Sequence, residues 1–224
     1  MKALTVFFPT DKKWEIMLEV FRRSWEYSMD IPLEVVQENP PQKSGKIWGV
    51  ETNTRKLQLW QKYFTEDIIF CDCDMLVRGD ITEGFQKIKD IGYTERTDGK
   101  LPLNAGVVFA RYSNYSKRFL EEWERINQRM YEDPKFHKPW NEKYAGINQA
   151  ALGWMLENGW TADVLPESYN MCIPSRWKEG KMVHIKSGAR EICFTRRPRR
   201  LRGSDKALHQ LFWQFSEVKN YRGG

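Results

Sequence analysis

Apolar positions along the chain fall into short continuous runs separated by longer stretches of helical spacing. Ala3 to Phe8 is a run suited to a buried strand, and Asp11 behind it is placed to cap a helix that turns Ile16, Val20 and Phe21 inward. Leu33 to Val36 reads as a second strand. Pro40-Pro41-Gln42-Lys43-Ser44-Gly45 is a loop by composition, after which Thr52 or Thr54 would cap a helix carrying Leu57, Trp60 and Tyr63 toward the core. Asp67 to Asp72 is the third strand. Strands and helices alternating at this spacing predict an α/β fold with a mainly parallel central sheet, whose ligands gather beyond the carboxyl ends of the strands.

The second half is less regular. Ala105 to Ala110 reads as a strand, and Asn114 to Tyr131 as an amphipathic helix with Phe119, Trp123, Ile126 and Met130 on one face. Asp133 to Trp140, with two prolines and a histidine, predicts a loop. Gly146 to Asn158 predicts a helix with Ile147, Ala151 and Trp154 or Met155 inward. Val164-Leu165 and Met182 to Ile185 are short strand candidates, and Ser204 or Asp205 would cap a closing helix to about Val218.

The third strand ends in the residues that carry chemistry, Cys71-Asp72-Cys73-Asp74-Met75. Side chains alternate along an extended strand, so Asp72 and Asp74 project to one side and the two cysteines to the other. Paired carboxylates of this kind suit a hard divalent cation such as Mg²⁺ or Mn²⁺, which would hold the phosphates of a nucleotide. An isolated Asp-x-Asp also suits a plain solvated turn; its place at the predicted binding edge is what favours the metal.

Composition then narrows the picture. At 224 residues, with 41% hydrophobic and 14% aromatic positions, the chain is long and apolar enough for a single folded domain. Its ten tryptophans point first to core packing and second to stacking on sugars or bases. Ala3 to Phe8 is too short for the apolar core of a secretory signal, and no stretch approaches the roughly 20 apolar residues of a transmembrane helix. Cys71, Cys73, Cys172 and Cys193 form no paired framework, and with His184 they lack the close ligand pairs of a zinc site. Reduced thiols in a soluble, cytoplasmic protein are the expectation.

Charge is concentrated at one end. From Arg176 to Gly224 there are 13 Lys and Arg against 4 Asp and Glu, a net of +9, which leaves −3 for the first 175 residues of a chain whose total is +6. Within it, Arg196-Arg197-Pro198-Arg199-Arg200-Leu201-Arg202 would attract a polyanion, or would simply be a solvated basic loop.

In order, these segments resemble glycosyltransferase family 8, the glycogenin-like enzymes. Lys56-Leu57-Gln58-Leu59-Trp60 and Asp72-Cys73-Asp74-Met75-Leu76-Val77 resemble the family's Lys-Leu-x-x-Trp and Asp-x-Asp-x-Leu-Val blocks. Asn104-Ala105-Gly106-Val107 is similar to its Asn-(Ala/Ser)-Gly-Val segment, and Asn148-Gln149-Ala150-Ala151-Leu152 stands where the family has Asp-Gln-x-x-Leu. Leu165-Pro166-Glu167-Ser168-Tyr169-Asn170 and Met182-Val183-His184-Ile185 resemble the Leu-Pro-x-x-Tyr-Asn turn and the Val-Val-His-Phe strand.

The resemblance implies a GT-A fold over residues 1–190, followed by a basic C-terminal segment over 191–224. It also implies transfer of a sugar, in the manner of a hexosyltransferase, from a nucleoside-diphosphate sugar, with uridine as the expected base and Mn²⁺ or Mg²⁺ as cofactor. By the same carry-over Asp72, Asp74 and His184 ligate the metal, with Asp72 also touching the ribose. Lys56 positions the diphosphate and the loop carboxylates. Phe8, Thr10 and Asp11 meet the nucleoside, and Asn104 and Gln149 meet sugar hydroxyls. Lys186 and Arg190 would complete the phosphate clamp, since cations near phosphate oxygens gain where water is excluded. Asn148 and Gln149 are assigned the face toward the oxocarbenium-like sugar.

Two departures matter. Asn148 replaces the family's aspartate and cannot act as a carboxylate nucleophile, which disfavours a covalent sugar intermediate; retention by same-face attack remains what the resemblance implies, with inversion still open. After His184 the family's glycine and lysine are replaced by Ile185-Lys186-Ser187-Gly188-Ala189-Arg190. The acceptor is expected to be anionic, a modified DNA base or a lipopolysaccharide or other glycan, drawn by the Arg196–Arg202 cluster, with a polysaccharide or protein acceptor as the alternative. The competing readings are a nucleotidyltransferase that makes nucleotide sugars, and a non-catalytic nucleic-acid-binding module.

Overall fold

Six short segments assemble into one sheet. In the computed structural model, which describes residues 1–41, 46–97, 102–195 and 197–216, the spatial order is β2 (Leu33–Gln37), β1 (Lys2–Phe7), β3 (Ile68–Cys71), β6 (Leu103–Ala110), β5 (Ile91–Glu95) and β7 (Asp163–Leu165). Three of the five pairings are parallel, β1 with β2, β1 with β3 and β5 with β7, while β6 runs antiparallel between β3 and β5. Every residue of β3 and β6 is buried, as central strands covered on both faces require. A separate two-stranded ladder joins β4 (Met75–Val77) to β8 (Met182–His184).

Helices cover the sheet. In α1 (Lys12–Ser28) the Asp11 carboxylate accepts from the backbone N–H groups of Lys13 and Trp14, and Ile16, Val20 and Phe21 are buried as their spacing predicts. α2 (Lys46–Tyr63) begins earlier than expected. Thr52 and Thr54 are not its caps but lie inside it, their hydroxyls donating back to the carbonyls of Gly49 and Val50 at 3.1 Å each. The loop predicted over 40–45 falls largely outside the described residues, at 42–45. α3 (Asn114–Glu132) buries Phe119, Trp123, Ile126 and Met130, and α5 (Ile147–Glu157) buries Ile147, Ala151 and Met155.

The expected loop over 133–140 is instead the start of α4 (Pro134–Tyr144). The Asp133 carboxylate accepts from the N–H groups of Lys135 and Phe136, and Pro134 occupies the first helical position, where a missing N–H costs nothing. Pro139 is tolerated within a helix whose Tyr144 is buried and whose Phe136 lies under the Arg129 guanidinium at 3.9 Å. Tertiary contact overrides the local signal. The closing helix α7 (Gly203–Gln214) starts before Ser204 and has no side-chain cap; the Ser204 hydroxyl instead accepts from the Trp177 indole at 2.7 Å. The expected continuation to 218 lies partly outside the described residues, which end at 216.

The short helix α6 (Ser187–Cys193) and α7 pack on α1, where Cys193, Leu208 and Phe212 share a core with Ile16, Met17 and Val20. On the opposite face, Trp60 stacks on Phe70 with ring centroids 4.5 Å apart and meets Trp123 edge-on at 5.9 Å. Three of the tryptophans, Trp25, Trp60 and Trp123, are fully buried, so the packing role holds for them. Trp60→Ala is expected to cost about 3–5 kcal/mol, read as a lower midpoint in denaturant unfolding, and Trp60→Phe to cost less than Trp60→Ala because it keeps a ring on Phe70.

Candidate functional site

Strand β1 is followed by β2 on one side, and the chain then returns to place β3 on the other. The crevice between the carboxyl ends of β1 and β3 is therefore a topological switch point, where open α/β sheets take their ligands. A cleft of about 220 Å³ opens there, lined among others by Phe8 behind β1, Trp14 of α1, Asn53 and Lys56 of α2, Asp72 and Asp74 behind β3, His184 at the end of β8 and Lys186 behind it.

Two ladders aim the acids and the imidazole at each other. The Asp72 N–H donates to the Gly106 carbonyl at 2.8 Å and so continues the pairing of β3 with β6. β4 then starts at Met75, which stands opposite His184 in the antiparallel register with β8, and the Ile185 N–H donates to the Asp74 carbonyl at 2.7 Å. As a result His184 Nε2 lies 3.0 Å from Asp74 Oδ1 and 3.5 Å from Asp72 Oδ2.

The imidazole is fixed from behind. Asn170 Nδ2 donates to the Thr94 hydroxyl and to the Asn104 carbonyl, which leaves Asn170 Oδ1 facing His184 Nδ1 at 3.2 Å. An amide oxygen can only accept, so Nδ1 carries a proton and Nε2 turns toward the carboxylates, donating to Asp74 when the ring holds a second proton and offering its lone pair to a metal when it does not. Gly106 makes room for this ring: a Cβ there would sit 2.7 Å from His184 Cε1.

Cations surround the acids. Lys56 Nζ meets Asp72 Oδ1 at 2.7 Å, and an Arg190 terminal nitrogen meets Asp74 Oδ2 at 2.9 Å while the guanidinium lies over the Trp14 ring at 4.6 Å. Burial pushes the Asp74 carboxyl up, but His184, Arg190 and Lys186 together outweigh it and hold the group well below the usual carboxylate range. The donor set itself fits a divalent cation. Ligand atoms of Asp72, Asp74 and His184 all lie within 4.8 Å of one another, two hard oxygens and one imidazole nitrogen turning electron-rich atoms to a common point.

The sequence-predicted residues divide into two groups. Phe8, Lys56, Asp72, Asp74, His184 and Lys186 line the cleft, and Arg190 reaches it through Asp74. The others are not among its lining residues. Thr10 is exposed, and Asp11 caps α1. Asn104 is buried in β6, where its side-chain amide donates to the Asn170 carbonyl at 3.0 Å. Gln149 donates to the Tyr144 carbonyl at 3.0 Å, and Asn148 is buried behind Asn53. Sequence reasoning missed Trp14, Asn53 and the orienting role of Asn170. The Tyr-Asn end of the Leu-Pro-x-x-Tyr-Asn segment was the available signal for Asn170; Trp14 and Asn53 follow a helix cap and precede Lys56 by one turn, with nothing local to mark them.

Comparison of the sequence found no matching family model and no matching curated protein. Comparison of the structure found solved glycosyltransferases. One, involved in glycosylation of the major capsid of PBCV-1, superposes with a TM-score of 0.61 at 15% identity, covering 93% of this chain and 98% of its own. GlyE of Streptococcus pneumoniae TIGR4 gives 0.59 at 14% identity; 97% of this chain is covered, and it spans 60% of the GlyE chain. The galactosyltransferase LgtC, solved with donor and acceptor sugar analogues, gives 0.57 at 14% identity with 96% of each chain covered. The architecture is the GT-A fold that the motif resemblance implies. Asn170→Ala, which frees the imidazole but leaves all three candidate ligand side chains, is expected to weaken divalent-cation binding about 10–100-fold in titration calorimetry, with the fold retained by circular dichroism.

Proposed function

We propose that this protein is a metal-dependent glycosyltransferase that moves a sugar from a nucleoside-diphosphate sugar, with uridine as the base, to an acceptor hydroxyl. The observation that carries this reading is the convergence of Asp72, Asp74 and His184, flanked by Lys56, Lys186 and Arg190, in a cleft at the switch point of a GT-A sheet. Asp72, Asp74 and His184 would hold Mn²⁺ or Mg²⁺, the imidazole nitrogen favouring Mn²⁺, and the ion would supply Lewis-acid neutralisation of the departing diphosphate. Lys56, Lys186 and Arg190 add fixed positive charge that grips the diphosphate most strongly as its negative charge develops. Phe8 and Trp14 offer flat apolar walls to the nucleoside.

Among the described residues, Asp72 and Asp74 are the only carboxylates lining the cleft, both already engaged by cations, and residue 148 is an amide. Same-face attack with retention, without a covalent sugar intermediate, fits that inventory. A nucleotidyltransferase would need a glycine-bearing loop behind β1 to cradle a triphosphate, and Phe8-Pro9-Thr10-Asp11 stands there instead. Four free thiols suit a reducing compartment such as the cytoplasm.

With a uridine-diphosphate sugar at a hundredfold excess over its Kd, the folded state gains about 2.7 kcal/mol, so the melting temperature is expected to rise with donor and Mn²⁺ together. Asp74→Asn abolishes that rise, and the released product is uridine diphosphate; release of pyrophosphate would instead identify a nucleotidyltransferase. The acceptor we infer is anionic. Arg197, Arg199, Arg200 and Arg202 all stand exposed between α6 and α7. Neutralising these four is expected to raise KM for an anionic acceptor and flatten its salt dependence while leaving KM for the donor unchanged, in steady-state kinetics across a salt series.

A further inference from the structure

Asn53 projects into the cleft from α2, and its orientation is set by two neighbours. Its Nδ2 donates to the Gly49 carbonyl at 2.7 Å, one turn earlier on the helix, so that end of the amide must be the nitrogen. Its Oδ1 therefore faces Asn148, whose own Nδ2 donates to it at 3.1 Å. Asn148 is anchored in turn: it is 6% exposed at the start of α5, and its backbone carbonyl accepts from the Trp123 indole at 2.9 Å. Each amide thus has one permitted orientation. What remains on Asn53 is one N–H and one oxygen lone pair on a side chain that lines the cleft, a donor and an acceptor side by side, the pattern that pairs with a hydroxyl group.

Asn53 also precedes Lys56 by three positions, which places the two on the same face of α2 with about 5–6 Å between their Cβ atoms. Lys56 grips Asp72 in the proposed diphosphate clamp, so a group one turn away lies at the reach of the sugar bonded to that diphosphate. We propose that Asn53 reads one hydroxyl of the transferred sugar, and that Asn148 is the positioning residue that holds the Asn53 amide in register. The proposal rests on the glycosyl-transfer reading above. It also explains the amide at 148: an aspartate there would set a charged oxygen against Asn53 Oδ1, and escape by turning the Asn53 amide over would lose the bond to Gly49.

The test measures kcat/KM for transfer from the best uridine-diphosphate sugar and from analogues each lacking one hydroxyl, in the wild type, Asn53→Ala and Asn148→Asp. Binding of uridine diphosphate with Mn²⁺ is measured by calorimetry in parallel. Asn53→Ala is expected to lower kcat/KM for the full donor about tenfold or more, and to have no further effect on one deoxy analogue, because enzyme and substrate then lack the same contact. Asn148→Asp, which leaves α2 unaltered, is expected to reproduce the non-additivity at that same hydroxyl, with uridine diphosphate affinity within twofold of wild type in both variants. Losses that add for every deoxy analogue, or a parallel fall in uridine diphosphate affinity, overturn the assignment. Wild-type protein that transfers sugar while both variants behave additively sinks this inference alone, whereas wild-type protein that takes no sugar nucleotide sinks the glycosyl-transfer reading and this with it.

Discussion

Burying the Asp74 carboxylate is the constraint around which the site is organised. The residue is 6% exposed, and taking an ionised carboxylate out of water costs several kcal/mol unless positive charge and hydrogen bonds replace the lost solvent. His184 and Arg190 supply them from a segment more than a hundred positions away. That supply depends on the β4–β8 ladder, which sets His184 opposite Met75. A shift of one residue in this register would turn the imidazole to the other face of the ribbon and leave the acid without its partner.

Rigid elements hold the rest of the constellation. Asp72 is tied through its backbone to β6, Lys56 comes from a helix packed on the sheet through Trp60, and His184 is locked by an amide network running through Asn170, Thr94 and Asn104. Buried polar groups that satisfy one another in this way fix side-chain direction more tightly than apolar packing does. The cost shows locally: Asn104 Oδ1 and Asn148 Oδ1 are buried without a hydrogen-bond partner. Both belong to the shell that orients the site, where an imperfect network is tolerated because it fixes geometry.

The short helix α6, which straddles the expected boundary at 190, contributes to this arrangement. Arg190 leaves α6 to reach Asp74, and the same helix is seated on α1 through Ala189 and Cys193, next to the Trp14 that lies under the guanidinium. Core packing of α6 and α7 is thus coupled to the electrostatics of the cleft. The exposed arginines beyond α6 face solvent instead, and their charge acts at longer range.

Much of this could be read before any coordinates. Continuous apolar runs found β1, β2, β3 and β6, and a 3.6-residue spacing of apolar positions found α1, α3 and α5, because burial of these segments is written into their own residues. The Asp-x-Asp and its place at a strand end were legible for the same reason, being local. What failed was local signal contradicted by distant contact: the prolines of α4, and Thr52 and Thr54 inside α2. β4 and β5 were not read, whereas β7 and β8, each as short as β4, were read from their apolar residues. Without the motif resemblance, nothing in the sequence separates a His184 that faces two carboxylates from an ordinary core histidine, and nothing distinguishes Asn53 from any helix-surface amide. Those distinctions depend on which groups lie within about 3 Å in space, and only the closed sheet and its ladders decide that.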